Sequence, residues 1–231
     1  MPSAPPVSPS PAYSISRPWS RLIPHPPTGK QLGFLWLDCL EALYGGAAGG
    51  GKSDALLMGA LLYEERSGYA ALILRRTFAD LSKPGALIPR AHEWLQPTRA
   101  HWSERDKTWT FPSGATLTFG YLEHENDIYQ YQSTEFQYIA FDELTQFSET
   151  QYRYMFSRLR RRAGLDVPLR MRSASNPGGV GHDWVKRRFL VEGPSTGRIF
   201  LPATLDDNPH LDRLEYVRSM QELDPITRAQ L

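Results

Sequence analysis

The sequence predicts an α/β fold with a mostly parallel central sheet, helices on its faces and a β-hairpin insertion. Two observations support this prediction. Short continuous apolar runs recur along the 231-residue chain and end in polar residues, as buried parallel strands do. One such run leads into a glycine-rich loop and then a helix-forming segment, which is the strand, loop and helix order of α/β proteins.

Composition limits the possible function classes. Lys and Arg total 26 and Asp and Glu total 25, so a nucleic-acid contact would depend on local clusters of charge. The single cysteine, Cys39, excludes an internal disulfide, and its apolar neighbours place it in the expected core. The chain has no run of 18 apolar residues and no apolar signal core, so we expect a soluble intracellular protein with no membrane partner.

The first 27 residues carry nine of the 19 prolines, together with serine and few large apolar residues. This composition predicts an extended arm over residues 1–27 that is disordered in isolation. Thr28 is then expected to cap a helix with apolar positions at 34, 35, 37, 40 and 43. The end of that helix must overlap the strand before the glycine-rich loop, and the sequence leaves this boundary open.

The glycine-rich loop lies within residues 43–56, LYGGAAGGGKSDAL, which fit the phosphate-binding pattern G-x-x-x-x-G-K-[ST]. Because glycine has no Cβ, the backbone amides of such a loop can converge on phosphate oxygens. Lys52 can reach the outer phosphates, and the Ser53 hydroxyl is a hard oxygen ligand suited to Mg²⁺. The alternative is a loop that only opens a helix and leaves Lys52 solvated. The predicted nucleotide contacts are Gly46, Ala47, Ala48, Gly49, Gly50, Gly51, Lys52, Ser53 and Asp54.

A second strand is predicted over residues 69–74, and Arg75 and Arg76 follow its carboxyl end. Ligands bind at this edge of open α/β sheets. Either arginine is therefore a candidate contact for phosphate or DNA, with a structural salt bridge as the alternative. Residues 109–111 and 116–121 flank a Pro-Ser-Gly turn and predict the β-hairpin.

A third apolar run, residues 136–141, ends in two carboxylates, Asp142 and Glu143. Asp142 would hold Mg²⁺, usually through water, at the same edge of the sheet as the glycine-rich loop. Glu143 can polarise a water molecule for attack on a γ-phosphate, which is general-base chemistry and favours hydrolysis over a binding switch. Acidic residues after a strand also serve as helix caps, which is the alternative for this pair.

Four arginines close a helix predicted over residues 148–162, which Ser148 and Gln151 begin with a capping box. They are Arg158, Arg160, Arg161 and Arg162. A helix C-terminus attracts cations through its dipole, so the cluster needs no further role. The alternatives are a charged finger directed at a neighbour's ATP and a phosphate contact to DNA.

A further strand, residues 169–173, leads to Ser175 and Asn176 and then to a Pro-Gly-Gly turn. These polar groups would lie beside the other strand ends and could sense the γ-phosphate, although a plain turn is the alternative. A helix over 184–191 and a strand over 198–202 follow. A terminal helix is predicted over 211–223, and the chain stops inside another helical pattern, which suggests a cut rather than a natural end.

Four motifs, in this order, carry a family resemblance. They are LYGGAAGGGKSDA (43–55), YIAFDELTQF (138–147), SASNPGG (173–179) and DDNP (206–209). Together they resemble the large terminase subunit of tailed bacteriophages. The resemblance implies a P-loop ATPase domain of the additional-strand, catalytic-glutamate class, which uses ATP and Mg²⁺ to pump DNA into a procapsid. The implied partners are double-stranded DNA, the portal protein, the small terminase subunit and other copies in a ring, docked at the portal in the host cytoplasm.

The same resemblance assigns further roles. Gln31 resembles the glutamine that contacts adenine, whereas residue type alone suggests a surface position. Residues 175–177 resemble the motif that couples hydrolysis to movement, with Asn176 as its relay. Some family members place a trans-acting arginine before the second acidic motif, where this chain has Gln130 and Gln132. Either Arg158 or Arg160 would then supply that charge, or the charge comes from elsewhere.

The predicted domain organisation is the arm at 1–27, an ATPase domain at 28–210 and a helical lid or linker at 211–231. We expect no nuclease activity, because the chain ends before the nuclease domain of large terminases would begin. The predicted catalytic residues are Glu143, Lys52, Asn176 and Arg158, and the predicted metal ligands are Ser53 and Asp142. Two alternatives stay open: a helicase-like or repair DNA-dependent ATPase, and a nucleotide-binding assembly module that does not hydrolyse.

Overall fold

The computed structural model describes residues 19–46, 49–204, 207–209, 218 and 221. Eight strands form one sheet within these residues. The strands are β1 (Glu41–Gly46), β2 (Ala70–Arg75), β3 (His101–Ser103), β4 (Thr108–Thr110), β5 (Thr116–Tyr121), β6 (Tyr138–Asp142), β7 (Arg170–Ser175) and β8 (Ile199–Ala203). The α-helices are α1 (Gly29–Leu35), α2 (Lys52–Ala60), α3 (Phe78–Ser82), α4 (Leu87–Leu95), α5 (Glu149–Met155), α6 (His182–Lys186) and α7 (Gly193–Thr196).

Shorter helical turns complete the described part of the chain. Three 3₁₀ helices span Glu125–Tyr131, Leu144–Gln146 and Phe156–Arg158, and a π-helix, Arg187–Val191, continues α6.

The strand order is β3-β4-β5-β2-β6-β7-β1-β8. All pairings from β5 to β8 are parallel, whereas β3, β4 and β5 pair antiparallel. The α/β class with a mostly parallel sheet and the hairpin insertion are confirmed. Strand β7 lies between β1, which leads into the glycine-rich loop, and β6, which ends in Asp142. A strand between these two, here β7, is the feature that gives the additional-strand class its name.

Helices cover both faces of the sheet, and this explains why the strands are continuously apolar. Successive strand residues alternate between two buried clusters: Tyr44 and Ile73 belong to one, and Leu43 and Leu72 to the other. Helices α1, α2 and α4 pack on the first face, and α5 and α6 on the second. Because β1, β2, β6 and β7 run parallel to one another, their carboxyl ends lie at the same edge of the sheet.

The first helix is shorter than predicted. Thr28 caps it as expected, accepting a hydrogen bond from the backbone amide of Gln31 at 3.3 Å, but the helix ends at Leu35 instead of continuing to position 43. Two buried arginines of β7 explain the early end. Arg170 donates to the carbonyl of Leu35 at 2.8 Å, and Arg172 donates to the carbonyls of residues 37, 39 and 40. These carbonyls are therefore held by β7, and Cys39 beside them is only half-buried.

The helix predicted over 148–162 also ends early. Its capping box forms as predicted, but α5 stops at Met155 and a single 3₁₀ turn follows. The chain then pairs with Phe136, two residues before β6: Phe136 donates to the carbonyl of Arg158, and Arg160 donates to the carbonyl of Phe136, both at 2.9 Å. Arg160 and the two arginines after it lie beyond the helix, so its dipole does not account for them.

The described part of the predicted arm packs on the domain. Ile23 is buried in the first cluster, and the Ser20 hydroxyl donates to the carboxylate of Glu64 at 2.6 Å. Residues 19–27, which were predicted to belong to the extended arm, therefore include residues that pack against the domain. Residues 1–18 and most of the predicted terminal helix lie outside the described residues. Within the described ranges, no helix is long and apolar enough to cross a membrane.

Candidate functional site

The phosphate-loop pattern forms the turn between β1 and α2. Gly46 has a φ of 128°, and a Cβ there would lie 2.1 Å from the carbonyl oxygen of Ala203 in the neighbouring strand β8. Gly51 has a φ of 70° and is the N-cap of α2, with no side-chain hydrogen bond to the first turn. The first amides of α2 are thus available to an anion, as the phosphate interpretation requires. The predicted contacts Ala47 and Ala48 lie outside the described residues.

Lys52 lies at the start of α2 and is buried. Its ammonium group donates to the carbonyl of Gly46 at 3.4 Å, so the side chain folds back along the loop. Burial lowers the pKa of Lys52, and the nearby carboxylates of Asp142 and Glu143 oppose this effect. The solvated position considered as an alternative is therefore wrong. Lys52 lies at a cavity of about 540 Å³ that the loop also lines.

Asp142, the last residue of β6, faces Ser53 across the sheet edge. The Ser53 hydroxyl donates to Asp142 Oδ1 at 2.9 Å, which brings the two predicted metal ligands together. Both supply the hard oxygens that Mg²⁺ prefers. Among the residues that the structure describes, no three His, Cys, Asp or Glu side chains group as a metal site. Mg²⁺ in nucleotide sites needs only one or two protein oxygens besides the phosphates, so this pair fits the ion.

Glu143 lines the same cavity as Lys52. Its backbone is in the left-handed region, with φ of 57° and ψ of 58°. For a residue other than glycine, this costs about 1–3 kcal/mol and persists only where the surroundings hold it. Burial raises the pKa of the Glu143 carboxyl, and the neighbouring Asp142 carboxylate raises it further. A carboxyl group with a raised pKa in a cavity is suited to proton transfer near neutral pH.

Arg75, left open by the sequence, belongs to this site. Its guanidinium donates to Asp142 Oδ2, and its Nη1 lies 4.0 Å from Glu143 Oε1. Arg76 points away and has a structural role, donating to the carbonyl of Leu122 at 3.0 Å and to Gln151 at 3.2 Å. Of the two interpretations of Arg75, the structure shows the salt bridge, and its partners are the predicted site carboxylates Asp142 and Glu143.

Asn176, directly after β7, lies between the cavity and the turn that follows β6. Its backbone amide lowers the pKa of the Glu143 carboxyl. Its side chain lines the cavity beside Lys52 and Glu143, and its Oδ1 is buried without a partner among the described residues. The structure thus brings Asn176 to the predicted catalytic residues.

Gln31 is buried, so its suggested surface position is wrong. Its side chain accepts from the amide of Thr28 at 2.9 Å and donates to the carbonyl of Gly51 at 2.9 Å. The carboxamide therefore connects the start of α1 to the glycine-rich loop and lines the cavity. Its contact with adenine stays a prediction.

Two further contacts at the cavity were not predicted. Asp54 accepts from Arg90 of α4 at 2.7 Å, and Asn208 donates to the carbonyl of Gly49. Burial raises the pKa of Asp54, whereas the charge of Arg90 lowers it. Asn208 belongs to the Asp-Asp-Asn-Pro motif, so the sequence indicated that this residue could matter. Arg90 lies in a proline-flanked helix, and no nearby sequence pattern indicated its contact with Asp54.

Arg158 lies away from the cavity of its own chain. Its carbonyl pairs with Phe136, two residues before β6, whereas Asp142 ends that strand. Six residues of extended chain span roughly 20 Å. Arg158 packs over the ring of Tyr154, and Arg160 donates to the carbonyl of Thr134 at 3.0 Å. A role for Arg158 or Arg160 in a neighbouring subunit stays a prediction.

Comparison with known proteins identifies the family of this chain. The family model described as "Terminase large subunit, T4likevirus-type, N-terminal" matches residues 43–225, which include the glycine-rich loop and both acidic residues. The chain belongs to the large terminase subunit family. No match was found among curated protein sequences.

Solved large terminases share the fold. The large terminase of a thermophilic bacteriophage, in complex with ATP-gamma-S, superposes with a TM-score of 0.67 at 20% identity, over 88% of this chain and 51% of that one. The large terminase ATPase domain of Thermus phage P74-26 gives a TM-score of 0.60 at 14% identity, covering 90% of this chain and 93% of that domain. The HK97 bacteriophage large terminase gives 0.57 at 13% identity, over 93% and 48%. This chain spans about half the length of the first and third of these proteins.

Proposed function

We propose that this chain is the ATP-hydrolysing motor domain of a viral DNA-packaging terminase, coupling hydrolysis to translocation of double-stranded DNA into a procapsid. One observation carries the proposal: the loop lysine, the Ser53 and Asp142 oxygens and the Glu143 carboxylate come together at one edge of the sheet. A similar large terminase, from a thermophilic bacteriophage, has been solved in complex with ATP-gamma-S and with ADP. We propose ATP as the nucleotide here.

Each residue at the edge has a part in this proposal. The amides at the start of α2 and the Lys52 ammonium hold the phosphates. Ser53 and Asp142 would hold Mg²⁺, which neutralises phosphate charge and orients the phosphoryl group when bound. Lys52 is buried and lies close enough to both carboxylates for their charge to raise its pKa.

Glu143 is the proposed general base. Its carboxylate accepts the proton of the attacking water, and burial raises its pKa toward the range where such transfer is efficient. Asn176 lines the same cavity as this carboxylate, and its backbone amide lowers the pKa of Glu143, so a change of charge on Glu143 would act on the residue that follows β7. Asn176 is therefore the proposed relay between hydrolysis and movement.

The test is phosphate release from Mg-ATP by the purified chain and two variants. Glu143→Gln keeps the size of the side chain but removes the base, so we expect turnover to fall about 10²- to 10⁴-fold with nucleotide affinity retained. Lys52→Ala should weaken nucleotide binding. Turnover that survives Glu143→Gln would refute the hydrolytic assignment, and stoichiometric nucleotide retention without phosphate release would instead support an assembly module.

The proposed partners are double-stranded DNA, the portal protein, the small terminase subunit and further copies of this chain in a ring, at the procapsid in the host cytoplasm. Membership of the large terminase family supports this assignment. A packaging assay with procapsids and linear DNA tests it directly. DNA strand separation without packaging would favour the helicase-like alternative.

A further inference from the structure

The turn that carries Glu143 needs an external anchor. Only three non-glycine residues in the described part of the chain have a positive φ, and Glu143 is one of them. An unfavourable backbone conformation of this kind is stable only when neighbouring groups fix it. The 3₁₀ helix Leu144–Gln146 follows immediately, so its contacts decide where the Glu143 carboxylate lies.

Thr145 provides those contacts. It is buried, and its amide donates to Ser175 Oγ at 3.2 Å. Its hydroxyl lies 2.9 Å from the same Ser175 hydroxyl, and its carbonyl accepts from the amide of Gly181 at 2.7 Å. One residue thus joins the turn after β6 to the last residue of β7 and to the N-cap of α6.

Close backbone approach restricts this joint further. A Cβ on Gly181 would lie 2.9 Å from the Thr145 carbonyl oxygen, and a Cβ on Gly179 would lie 3.0 Å from it. The segment after Asn176 is therefore packed directly against Thr145. A displacement of the turn would have to displace this segment as well.

The two sides of the joint also meet at the cavity. Asn176 lines the same cavity as Glu143, and it follows Ser175 in the chain. The Ser175 hydroxyl in turn lies 2.9 Å from the Asn176 carbonyl oxygen. Thr145 and Ser175 therefore hold both the turn that carries the proposed base and the start of the segment that follows β7.

We propose that Thr145 is a positioning residue for Glu143, and that its hydroxyl pair with Ser175 fixes the base against the end of β7. Thr145 does not contact the phosphates or water in this assignment. It acts through the placement of the Glu143 carboxylate. The proposal rests on the hydrolytic function proposed above.

The test compares Thr145→Val, which removes only the hydroxyl, with Thr145→Ser, which retains it. We expect Thr145→Val to lower kcat about 10- to 100-fold, because small displacements of a reacting group have effects of this size. Nucleotide affinity, measured with a fluorescent ATP analogue, should change less than about twofold, since Lys52 and the loop are not altered. Thr145→Ser should recover most of the rate.

Thr118→Val is the matched control. Its hydroxyl also pairs with another threonine hydroxyl, Thr108, at 2.9 Å, but in the hairpin away from the cavity. This variant should keep the wild-type kcat. An unchanged kcat in Thr145→Val, an equal loss in Thr145→Ser, or a parallel loss of nucleotide affinity would overturn the positioning role.

A measurement made without nucleotide tests the anchoring role of Thr145 independently of the proposed ATP hydrolysis. Hydrogen exchange of residues 143–147 should be faster in Thr145→Val than in the wild type, and unchanged in Thr118→Val. An exchange rate that does not change in Thr145→Val overturns the anchoring role. If the wild-type protein does not hydrolyse ATP, the proposed function fails, and the exchange comparison alone decides whether Thr145 holds the turn.

Discussion

Arg75 lies against the two acidic residues that follow one another at the end of β6. Its guanidinium contacts Asp142 directly and is 4.0 Å from Glu143. Adjacent carboxylates disfavour each other's ionised form, and a nearby positive charge relieves this. Arg75 is the largest influence that lowers the pKa of Glu143, against the effects of burial and of Asp142. We infer that Arg75 sets the pH range in which Glu143 can act as a base.

Arg75→Gln is therefore expected to move the acidic limb of the pH–rate profile to higher pH. Without the positive charge the pKa of Glu143 rises, so the carboxylate is protonated, and inactive as a base, at a pH where the wild type still works. The measurement is kcat/KM for ATP hydrolysis as a function of pH. Arg76→Gln is the control, because Arg76 contacts Leu122 and Gln151 rather than the site. A limb that does not move in Arg75→Gln contradicts this role.

The site residues that the sequence predicted are those with local signals. Lys52 and Ser53 belong to a contiguous pattern, and Asp142 with Glu143 follows an apolar run. Arg75 was left open and Gln31 was assigned only through the family resemblance, because their positions depend on contacts across 67 and 20 residues of sequence, to Asp142 and Gly51 respectively. No short pattern specifies such pairings, because they arise only when the strands are ordered in the sheet.

At the scale of elements, a buried ion cluster ties three segments to the amino end of β1. Glu41 is buried, and its carboxylate accepts from Arg188 of the π-helix at 3.0 Å and from Arg198, just before β8, at 3.1 Å. The Tyr152 hydroxyl of α5 donates to the same carboxylate at 3.2 Å. Glu41 thus fixes the strand that leads into the phosphate loop.

Glu41→Ala should strongly destabilise the protein. Removing one partner of a buried ion pair leaves the other charge uncompensated and typically costs about 3–5 kcal/mol. We expect a loss of this size in the free energy of unfolding, measured by urea titration. Glu104→Ala serves as the control, since its pair with Lys107 is exposed, and no measurable loss is expected. A similarly small effect of Glu41→Ala would show that the cluster does not stabilise the fold.

The elements differ in how well the sequence predicts them. Strands β2, β6, β7 and β8 were predicted to within about two residues, because burial within a parallel sheet favours apolar runs, whereas the start of β1 was left open. Helix ends were predicted poorly, since α1 stops where Arg170 and Arg172 take its neighbouring carbonyls. Strand β3, of only three residues, carries no periodic signal and was missed.

At the scale of the whole molecule, the site residues and the arginines that follow α5 lie at opposite ends of β6. The proposed catalytic residues lie at the carboxyl edge, whereas Arg158 and Arg160 lie beside Phe136 at the amino end of β6. An arginine at that end is about the length of a strand away from the cavity of its own chain. A ring of subunits would allow the amino edge of one copy to approach the carboxyl edge of the next, which is the geometry that a trans-acting arginine requires.

Arg158→Ala should then abolish hydrolysis in the assembled protein without weakening nucleotide binding, because a trans arginine contributes about 10³- to 10⁵-fold in rate. Mixing Arg158→Ala with Lys52→Ala should restore part of the activity, since the first variant keeps an intact cavity and the second keeps the arginine. A mixture of Lys52→Ala with Glu143→Gln should stay inactive, because both changes affect the cavity itself. Full activity of Arg158→Ala at every protein concentration would exclude this residue, and Arg160→Ala would then be tested by the same mixing scheme.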